Sequence, residues 1–268
     1  MVLWKVLAIC FLTTFCVCIQ NILQFGAVPN EDTLQAQTLN AHALDAAIKK
    51  ANSSESVGDA RIVVIPHGKF YTLPFSINYC KNIVIEIRGK ISACNRIKHW
   101  PHDSNGISYQ DFIRIQFSNN ITINGGGKID GRGYIWWLNS WLVTKKYTPG
   151  GSSRPHLIAV DKATKLTFHD LTLKNSPCYH MRIDQSIDVT IFNIDIRVNT
   201  TAQLGIFKRF YLIGTIPLFP LNTDGIDPNG RNFHIYNITC QNYDDVVVPK
   251  PAHRYTDGYA NCTENMLI

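Results

Sequence analysis

The sequence lacks several of the features that mark common functional classes. It has no Cys-x-x-Cys pair, and its nine histidines show no ligand spacing, so a structural zinc site is not expected. Charged residues make up only 17% of the 268 positions, and the net charge of +6 is modest. This basic excess fits ordinary solubility as well as an anionic partner, and it does not indicate a nucleic-acid-binding protein.

Long apolar runs are absent after the N-terminus. The first 18 residues contain one lysine and then an apolar run over residues 6–18, which only Thr13 and Thr14 interrupt. A positive charge followed by about a dozen apolar residues is typical of a secretory signal peptide and is short for a membrane span. We therefore expect a leader over residues 1–18, one domain over residues 19–268, and a secreted, extracellular protein without a membrane partner. An uncleaved N-terminal anchor is the alternative interpretation.

Cysteine is scarce once the leader is set aside, and the five that remain are an odd number. In an oxidising compartment, disulfide bridges are predicted between Cys80 and Cys94 and between Cys240 and Cys262, which leaves Cys178 unpaired. Five Asn-x-Ser/Thr sequons agree with a secretory route and with a glycoprotein. These sequons begin at Asn52, Asn120, Asn199, Asn237 and Asn261.

A four-residue phrase, polar-apolar-any-apolar, recurs along the chain. It occupies residues 82–85, 120–123, 165–168, 188–191, 232–235 and 265–268. Alternation of period two places the apolar side chains on one face of a short strand. Many such strands, almost no helical pattern and a repeat of twenty-odd residues predict an all-β fold, a parallel β-helix with a continuous apolar interior. A β-sandwich is the structural alternative, because short alternating strands occur in both.

One segment departs from the strand pattern. Between residues 38 and 51, Leu44, Ala47, Ile48 and Ala51 follow the i, i+3, i+4, i+7 spacing of an amphipathic helix. The end of a β-helix exposes strand edges and apolar core. We therefore expect this helix to cover the N-terminal end of the β-helix.

Two acidic motifs stand out against the repeat: residues 222–225, which read Asn-Thr-Asp-Gly, and the pair Asp244-Asp245. Asp224 precedes the pair by 20 and 21 residues, about one coil of a solenoid. Stacked strands lie roughly 4.8 Å apart, so the three carboxylates are expected to be close together. Neighbouring side chains on a regular strand face opposite ways, so the backbone at the pair must bend. Clustered carboxylates fit acid/base hydrolysis of a glycosidic bond.

At these motifs the sequence resembles family 28 of the glycoside hydrolases, the polygalacturonase family. The matching segments are residues 222–227 and 244–250, and further similarity lies in residues 25–28, 123–131, 136–137 and 175–180. The resemblance extends from Phe25 to the last residue. It implies a right-handed parallel β-helix of the pectin-lyase-like type.

The resemblance also implies an activity and roles for individual residues. Members of the family cut α-1,4 bonds of galacturonan with inversion and without a metal. Asp244 would be the general acid, and Asp224 and Asp245 would activate water. Asn222, His180 and Lys250 would bind the sugar, although a histidine packed under a turn is an equal alternative for His180. The expected partner is pectin or polygalacturonate, bound by a monomer.

The chain departs from the family pattern in two places. The residue before the paired aspartates is Tyr243, where the family usually has glycine. The family also places a Gly-His-Gly motif and an Arg-x-Lys motif after the pair, and this sequence ends at Ile268. We therefore expect C-terminal coils to be missing, with weaker substrate binding and reduced turnover.

Two other functions remain open. A pectate lyase would share the β-helix but would use calcium and an arginine base, and a carbohydrate-binding β-helix would use no catalyst. The remaining acids near the motifs are predicted to be structural: Asp227 stabilises a turn, and Asp161, Asp184 and Asp188 are solvated turn residues.

Overall fold

The structure is a computed structural model that describes residues 18–53, 61–103, 106, 108–140, 154–200, 220–250 and 263–268. The helices are α1 Leu34–Asn52 and α2 Tyr134–Asn139, with 3₁₀ turns at Ile22–Phe25 and Ile97–His99. The strands are β1 Cys18–Asn21, β2 Arg61–Ile65, β3 Lys69–Thr72, β4 Phe75–Asn78, β5 Lys81–Ile87, β6 Lys90–Ala93, β7 Ile113–Gln116, β8 Asn119–Asn124, β9 Lys128–Asp130, β10 Ile158–Asp161, β11 Thr164–Lys174, β12 Met181–Arg197, β13 Ile226–Gln241 and β14 Glu264–Leu267.

The strands wind into a parallel β-helix with three sheets. The front sheet contains β4, β7, β10 and the first residues of β12 and β13. The middle sheet contains β1, β2, β5, β8, β14 and parts of β11, β12 and β13. The back sheet contains β3, β6, β9 and the last residues of β11, β12 and β13. Every pairing between these strands is parallel, which confirms the predicted β-helix and excludes the antiparallel β-sandwich.

The six recurring phrases stack directly on one another in the middle sheet. Their second residues pair in register in the order Ile83, Ile121, Leu166, Val189, Phe233 and Met266. The polar first residue of every phrase has a φ between 52° and 60°, the left-handed conformation that asparagine and aspartate adopt most readily. These residues turn the chain from the front sheet into the middle sheet. Amides at this corner also bond between coils, for example Asn120 Nδ2 to Asn82 Oδ1 at 2.8 Å.

The interior of the β-helix is a continuous stack of apolar side chains from all three sheets. Phe70, Phe168, Phe233, Ile65 and Ile77 are among the largest side chains that are completely buried. Burying each of them contributes roughly 1.5–3 kcal/mol to folding. The core therefore fixes the distance between neighbouring coils along the axis of the β-helix. The outward side chains of successive coils lie at the same spacing.

Helix α1 packs against the first coils, as the spacing of its apolar residues predicts. Thr33 caps its N-terminus by accepting a hydrogen bond from the Ala36 N–H at 3.1 Å. Leu44, Ala47 and Ile48 are buried against the core. The helix is longer than the stripe of residues 38–51 indicates, because the cap at Thr33 adds a turn before it.

The predicted bridge between Cys80 and Cys94 is wrong. Both thiols are free and buried, as is that of Cys178, and Cys240 is also free and half-buried. Cys80 lies between β4 and β5 and Cys94 directly follows β6. They therefore belong to different corners of one coil, with the core between them. Cys262, the predicted partner of Cys240, lies outside the described residues.

Most of the predicted leader, residues 1–17, also lies outside the described residues. The chain from Cys18 onward is part of the β-helix, because β1 pairs with β2. Within the described ranges, no helix has the length and apolarity needed to cross a bilayer.

Candidate active site

A single column of side chains runs along the front sheet. Four of its members lie two residues before β7, β10, β12 and β13, and the fifth lies two residues before Val247, which forms a parallel bridge with Ile226. Its members are Asp111, His156, Tyr179, Asp224 and Asp245. Backbone hydrogen bonds fix this register, because the residue after each member donates to the carbonyl of the next member: Phe112 to His156, Leu157 to Tyr179, His180 to Asp224, and Gly225 to Asp245. Successive members are therefore one rung, about 4.8 Å, apart.

Three carboxylates converge at the C-terminal end of this column. One oxygen each from Asp224, Asp244 and Asp245 lies within 4.8 Å of the other two. We call these three residues the aspartate cluster. Asp224 is almost completely buried, with 4% of its surface exposed, whereas Asp244 and Asp245 are open to solvent. The cluster thus combines one buried carboxyl group with two exposed ones.

The backbone bends at Tyr243 and Asp244. Both paired aspartates can therefore lie beside Asp224 on the outer face of the front sheet, which we call the groove, although neighbouring side chains on a regular strand point to opposite faces. Asp244 is held by two backbone N–H groups: that of Asn222 donates to Oδ2 at 2.8 Å, and that of Asp245 donates to Oδ1 at 3.1 Å. Tyr243 replaces the family's glycine without entering the core, because its side chain points outward and its N–H bonds Thr223 Oγ1 at 3.2 Å.

Burial and neighbouring charge raise the pKa of two carboxyls here. The pKa of Asp224 rises to about 7, mainly because the side chain is buried and further because Asp227 and Asp244 are close. The pKa of Asp227 rises to about 6, again through burial, although Lys250 opposes the shift with its Nζ 3.0 Å from Asp227 Oδ2. The free protein therefore keeps a proton on Asp224 at weakly acidic pH.

The prediction that Asp227 stabilises a turn is wrong. The residue lies in β13, is completely buried and faces Lys250, whose Nζ is also 3.9 Å from Asp224 Oδ2. Lys250 is partly exposed and sits above the ring of Tyr179, with Nζ 5.3 Å from the ring centroid. It is therefore positioned to reach both the aspartates and a ligand in the groove.

His180 is the one predicted sugar ligand that cannot touch a sugar in this structure, because its side chain has no exposed surface. Its Nδ1 lies 3.2 Å from the carbonyl oxygen of Thr223 and 3.1 Å from that of Asp224, and Ser176 N–H donates to its Nε2 at 3.4 Å. Burial lowers the pKa of His180 to about 4, so the ring is neutral and donates from Nδ1. His180 supports the aspartate cluster from below.

Asn222 has the left-handed backbone conformation, with φ 59°, and lies at the edge of the groove. Its N–H contacts Asp244, and its Oδ1 accepts a hydrogen bond at 3.2 Å from Arg154. Arg154 also donates to the carbonyl of Leu221 at 2.8 Å. Asn222 therefore links the aspartate cluster to an arginine that the sequence did not single out.

The prediction that Asp161 and Asp184 are solvated turn acids is also wrong. Both lie in front strands and pair with Arg182, whose NH2 atom is 3.1 Å from Asp161 Oδ1 and whose NH1 atom contacts Asp184. Asp188 is exposed, as predicted, and accepts a hydrogen bond from Asn232 Nδ2 at 2.8 Å. Sequence reasoning missed Arg182, because two of its carboxylate partners, Asp111 and Asp161, come from other coils and only Asp184 is near it in sequence.

The aspartate cluster is a poor site for a calcium ion, although three carboxylates at this spacing could touch a cation. Calcium takes six to eight oxygen ligands in proteins. Lys250 supplies a positive charge beside Asp224, and the raised pKa of Asp224 keeps that carboxyl neutral at weakly acidic pH. Both features oppose cation binding.

Replacing Asp227 by asparagine is expected to stabilise the protein at pH 7. The pKa of this carboxyl is raised by folding from 3.8 to about 6, so the folded state favours the protonated form and loses stability as the pH rises from about 4 to 6. A neutral amide avoids that loss, and the free energy of unfolding at pH 7 should increase by roughly 1–3 kcal/mol. Urea denaturation at pH 7 and pH 4 measures the change, which should largely disappear at pH 4.

Asp45 on α1 offers a matched control, because its side chain is 51% exposed and pairs with Lys49 on the same helix. Asp45→Asn should change the free energy of unfolding by less than about 0.5 kcal/mol at either pH. An Asp227→Asn protein that is less stable than the parent at pH 7 would mean that the Lys250 ion pair outweighs the burial of the charge.

The fold and the cluster together have the features of a glycoside hydrolase built on a parallel β-helix. The sequence profile of Glycosyl hydrolases family 28 matches residues 58–254, which is most of the chain. The chain belongs to this family.

Two plant proteins are similar to the chain in sequence, and one solved structure is similar to it in fold. The chain is 27% identical over 265 residues to a protein of Vitis vinifera described as "Probable polygalacturonase", covering 92% of this chain and 48% of that protein. It is 28% identical over 214 residues to a polygalacturonase of Persea americana, covering 78% and 40%. The crystal structure of a hyperthermoactive exopolygalacturonase from Thermotoga maritima matches its fold, with a TM-score of 0.63 at 20% identity over 85% of this chain and 53% of that one. The chain thus spans about half the length of the curated relatives it matches.

Proposed function

We propose that the chain carries the catalytic groups of a polygalacturonase-type glycosidase that cleaves α-1,4-galacturonosyl bonds of pectin. The observation that carries the proposal is the convergence of Asp224, Asp244 and Asp245 on one groove of the front sheet. Membership of family 28 and the names of the plant relatives support the substrate. The leader-like residues 1–18 and the five sequons support an extracellular setting for this activity.

In the proposed mechanism Asp244 protonates the leaving glycosidic oxygen and Asp245 activates the attacking water. Both side chains are exposed in the groove, where a polymer can reach them. Asp224 differs from its role in the family resemblance, because its pKa of about 7 keeps it protonated at weakly acidic pH. We assign it a supporting role there: it orients the water and holds a proton next to the exposed pair.

The proposal includes inversion because family 28 is known for inverting hydrolysis. The spacing of the carboxylates alone does not favour inversion. Inverting glycosidases separate their two carboxyl groups by about 6.5–9.5 Å, and retaining enzymes by about 5–5.5 Å. The nearest oxygens of the aspartate cluster lie within 4.8 Å. The stereochemistry of the first product therefore tests the mechanism directly.

The test is hydrolysis of polygalacturonate, with reducing ends measured chemically and the first-formed anomer followed by NMR. The proposal predicts new reducing ends of the β-configuration, unchanged by a chelator. A first-formed α-anomer would contradict inversion and would indicate a retaining mechanism with a covalent glycosyl-enzyme intermediate. An unsaturated, ultraviolet-absorbing product that disappears with the chelator would support a calcium-dependent lyase. Binding of the polymer without release of new reducing ends would support a carbohydrate-binding protein instead of a hydrolase.

A further inference from the structure

A row of lysines runs along the outer face of the back sheet, a different face from the groove. Lys69 in β3 pairs in register with Lys90 in β6, and Lys90 pairs with Lys128 in β9. The residue after each lysine is a completely buried member of the core: Phe70, Ile91 or Ile129. Because neighbouring side chains on a strand point to opposite faces, the three lysines point outward. Successive lysines are therefore one rung, about 4.8 Å, apart.

A fourth lysine extends this basic surface. Lys174 in β11 pairs in register with Asp130, which follows Lys128 by two residues in β9 and so lies on the same face. We call Lys69, Lys90, Lys128 and Lys174 the lysine patch. Lys128 is exposed and the other three lysines are partly exposed, so a partner can reach all four.

The acids close to the lysine patch already have basic partners. Asp130 pairs with Lys90, with 2.7 Å between Oδ2 and Nζ. Two more acids lie at the margin of this face, Asp32 beside Tyr71 and Asp195 two rungs from Lys128. Both pair with arginines outside the patch: Arg132 and Arg197. These acids therefore leave most of the charge of the patch in place.

Three lysines of the patch, Lys69, Lys128 and Lys174, have no carboxylate within 4.0 Å among the residues that the structure describes. Lys69 Nζ instead lies over the ring of Tyr71, 4.4 Å from its centroid. Like charges at directly opposite positions of neighbouring strands destabilise a sheet. An anion that lay across the row would relieve this repulsion. The patch is therefore complementary to a partner that carries several negative charges in a line.

We propose that the lysine patch binds a stretch of acidic polysaccharide outside the groove and holds the protein on its polymer. The identity of the polymer rests on the proposed function, whereas its negative charge follows from the unpaired lysines. Lysine presents a point charge on a flexible stem, without the planar fork by which arginine fixes a carboxylate. The patch thus attracts a chain of carboxylates without defining which bond is cut. Attachment at two places strengthens binding to a long polymer.

The test measures binding of the full chain to immobilised polygalacturonate at low salt. The background is Asp245→Asn, so that the polymer is not cut. The patch variant Lys69→Gln/Lys128→Gln/Lys174→Gln changes the three unpaired lysines and keeps the pair of Lys90 with Asp130. We expect about ten-fold weaker binding, the effect of losing three exposed ion pairs. This difference should vanish at about 1 M salt, where the Debye length is about 3 Å.

Lys50, Lys81 and Lys165 provide the control, because they are exposed on α1, β5 and β11 and also have no carboxylate within 4.0 Å in the described ranges. Replacing all three by glutamine removes the same charge and should leave the binding unchanged. An equal loss in both triple variants would show that net charge alone attracts the polymer and would overturn the proposal. Parent-like binding by the patch variant would also overturn it.

Two further ligands test the chemistry of the partner. Fully methyl-esterified polygalacturonate should bind equally to the parent and to the patch variant, because it carries no carboxylates. A patch-dependent affinity as high for this ester as for the acid would overturn the recognition of negative charge. Patch-dependent binding that is tighter to duplex DNA than to polygalacturonate would overturn the assignment to a polysaccharide.

Hydrolysis of trigalacturonate separates this inference from the proposed function. With Asp245 restored, the patch variant should cut this short substrate at the parent's rate, because the changed lysines lie outside the groove. If it does so and its binding to the polymer is also unchanged, the inference fails and the hydrolase stands. If the parent releases no reducing ends but binds polygalacturonate through the patch lysines, the patch stands and the proposed hydrolysis fails.

Discussion

The Asp244→Asn variant is expected to release reducing ends from polygalacturonate about 10²–10⁴ times more slowly than the parent. The amide cannot deliver a proton to the leaving oxygen, although its size is almost unchanged. Steady-state kinetics near pH 5 measure the effect, and a thermal melt checks the fold. A carbohydrate-binding protein without catalysis would instead keep its affinity for the polymer and have no turnover to lose.

A substrate with a good leaving group separates the roles of the paired aspartates. A galacturonosyl fluoride needs little protonation at departure, so Asp244→Asn should retain most of the parent's rate on it. Asp245→Asn should lose activity on both substrates, because the attacking water lacks its base. Asp188→Asn, at an exposed position away from the groove, should match the parent on both. The assignment of Asp244 as the general acid is wrong if Asp244→Asn loses the same fraction of its activity on the fluoride as on the polymer.

The Gly225→Ala variant is expected to lower kcat by about 100-fold, the second largest effect. Gly225 lies between Asp224 and Ile226, and its N–H donates to the Asp245 carbonyl at 2.9 Å. A Cβ there would stand 2.3 Å from the carbonyl oxygen of Val246 and 3.3 Å from Ile196 Cδ1. The rung that carries Asp245 must therefore move away from Asp224, and a displacement near 1 Å is enough to cost about two orders of magnitude in rate.

Gly126→Ala is the control for this variant. Gly126 has a φ of 74°, and a Cβ there meets no atom within 4 Å. Alanine should thus lower stability by about 1–2 kcal/mol through backbone strain and leave kcat of the folded protein unchanged. Kinetics normalised to the folded fraction from circular dichroism compare the two. Parent-like kcat in Gly225→Ala would show that the spacing of the rungs tolerates this shift.

The repeat phrases made the fold predictable, because each combines an apolar alternation with a polar residue at a corner. The sequence shows the alternation directly, and the strands of the middle sheet lie where it indicates. It does not show that the corner residues adopt positive φ values, since Lys165 does so as well as Asn82 and Asn120. That regularity comes from the coil geometry, which requires the same turn in every winding.

The aspartates were predictable from motifs, whereas the contacts that join Asp111 to His156 and to Arg182 were not. Asp111, His156 and Arg182 come from three coils and have no common local pattern. They meet only because the front strands stack in register. Aligning the residues that open each front strand, Ile113, Ile158 and Met181, would have revealed the column without a structure.

The burial of His180, which agrees with the packed alternative, has a simple geometric cause. The position directly before each front strand points into the core, as Phe112 and Leu157 do, and the position before that points outward. His180 occupies the inward position and Tyr179 the outward one. The sequence alone did not define where the strand starts to within one residue, and a shift of one residue exchanges the two faces.

The ladder of backbone hydrogen bonds separates distance along the chain from distance in space. Tyr179 and Asp224 are 45 positions apart in sequence, and Asp224 and Asp245 only 21, yet each pair occupies neighbouring rungs. Connections between windings can consequently lengthen, shorten or change composition without altering the interval between reactive groups. The loops between the strands can therefore change to fit a new polymer, through evolution or protein engineering. The distance between the catalytic groups meanwhile stays a whole number of rungs of the β-helix.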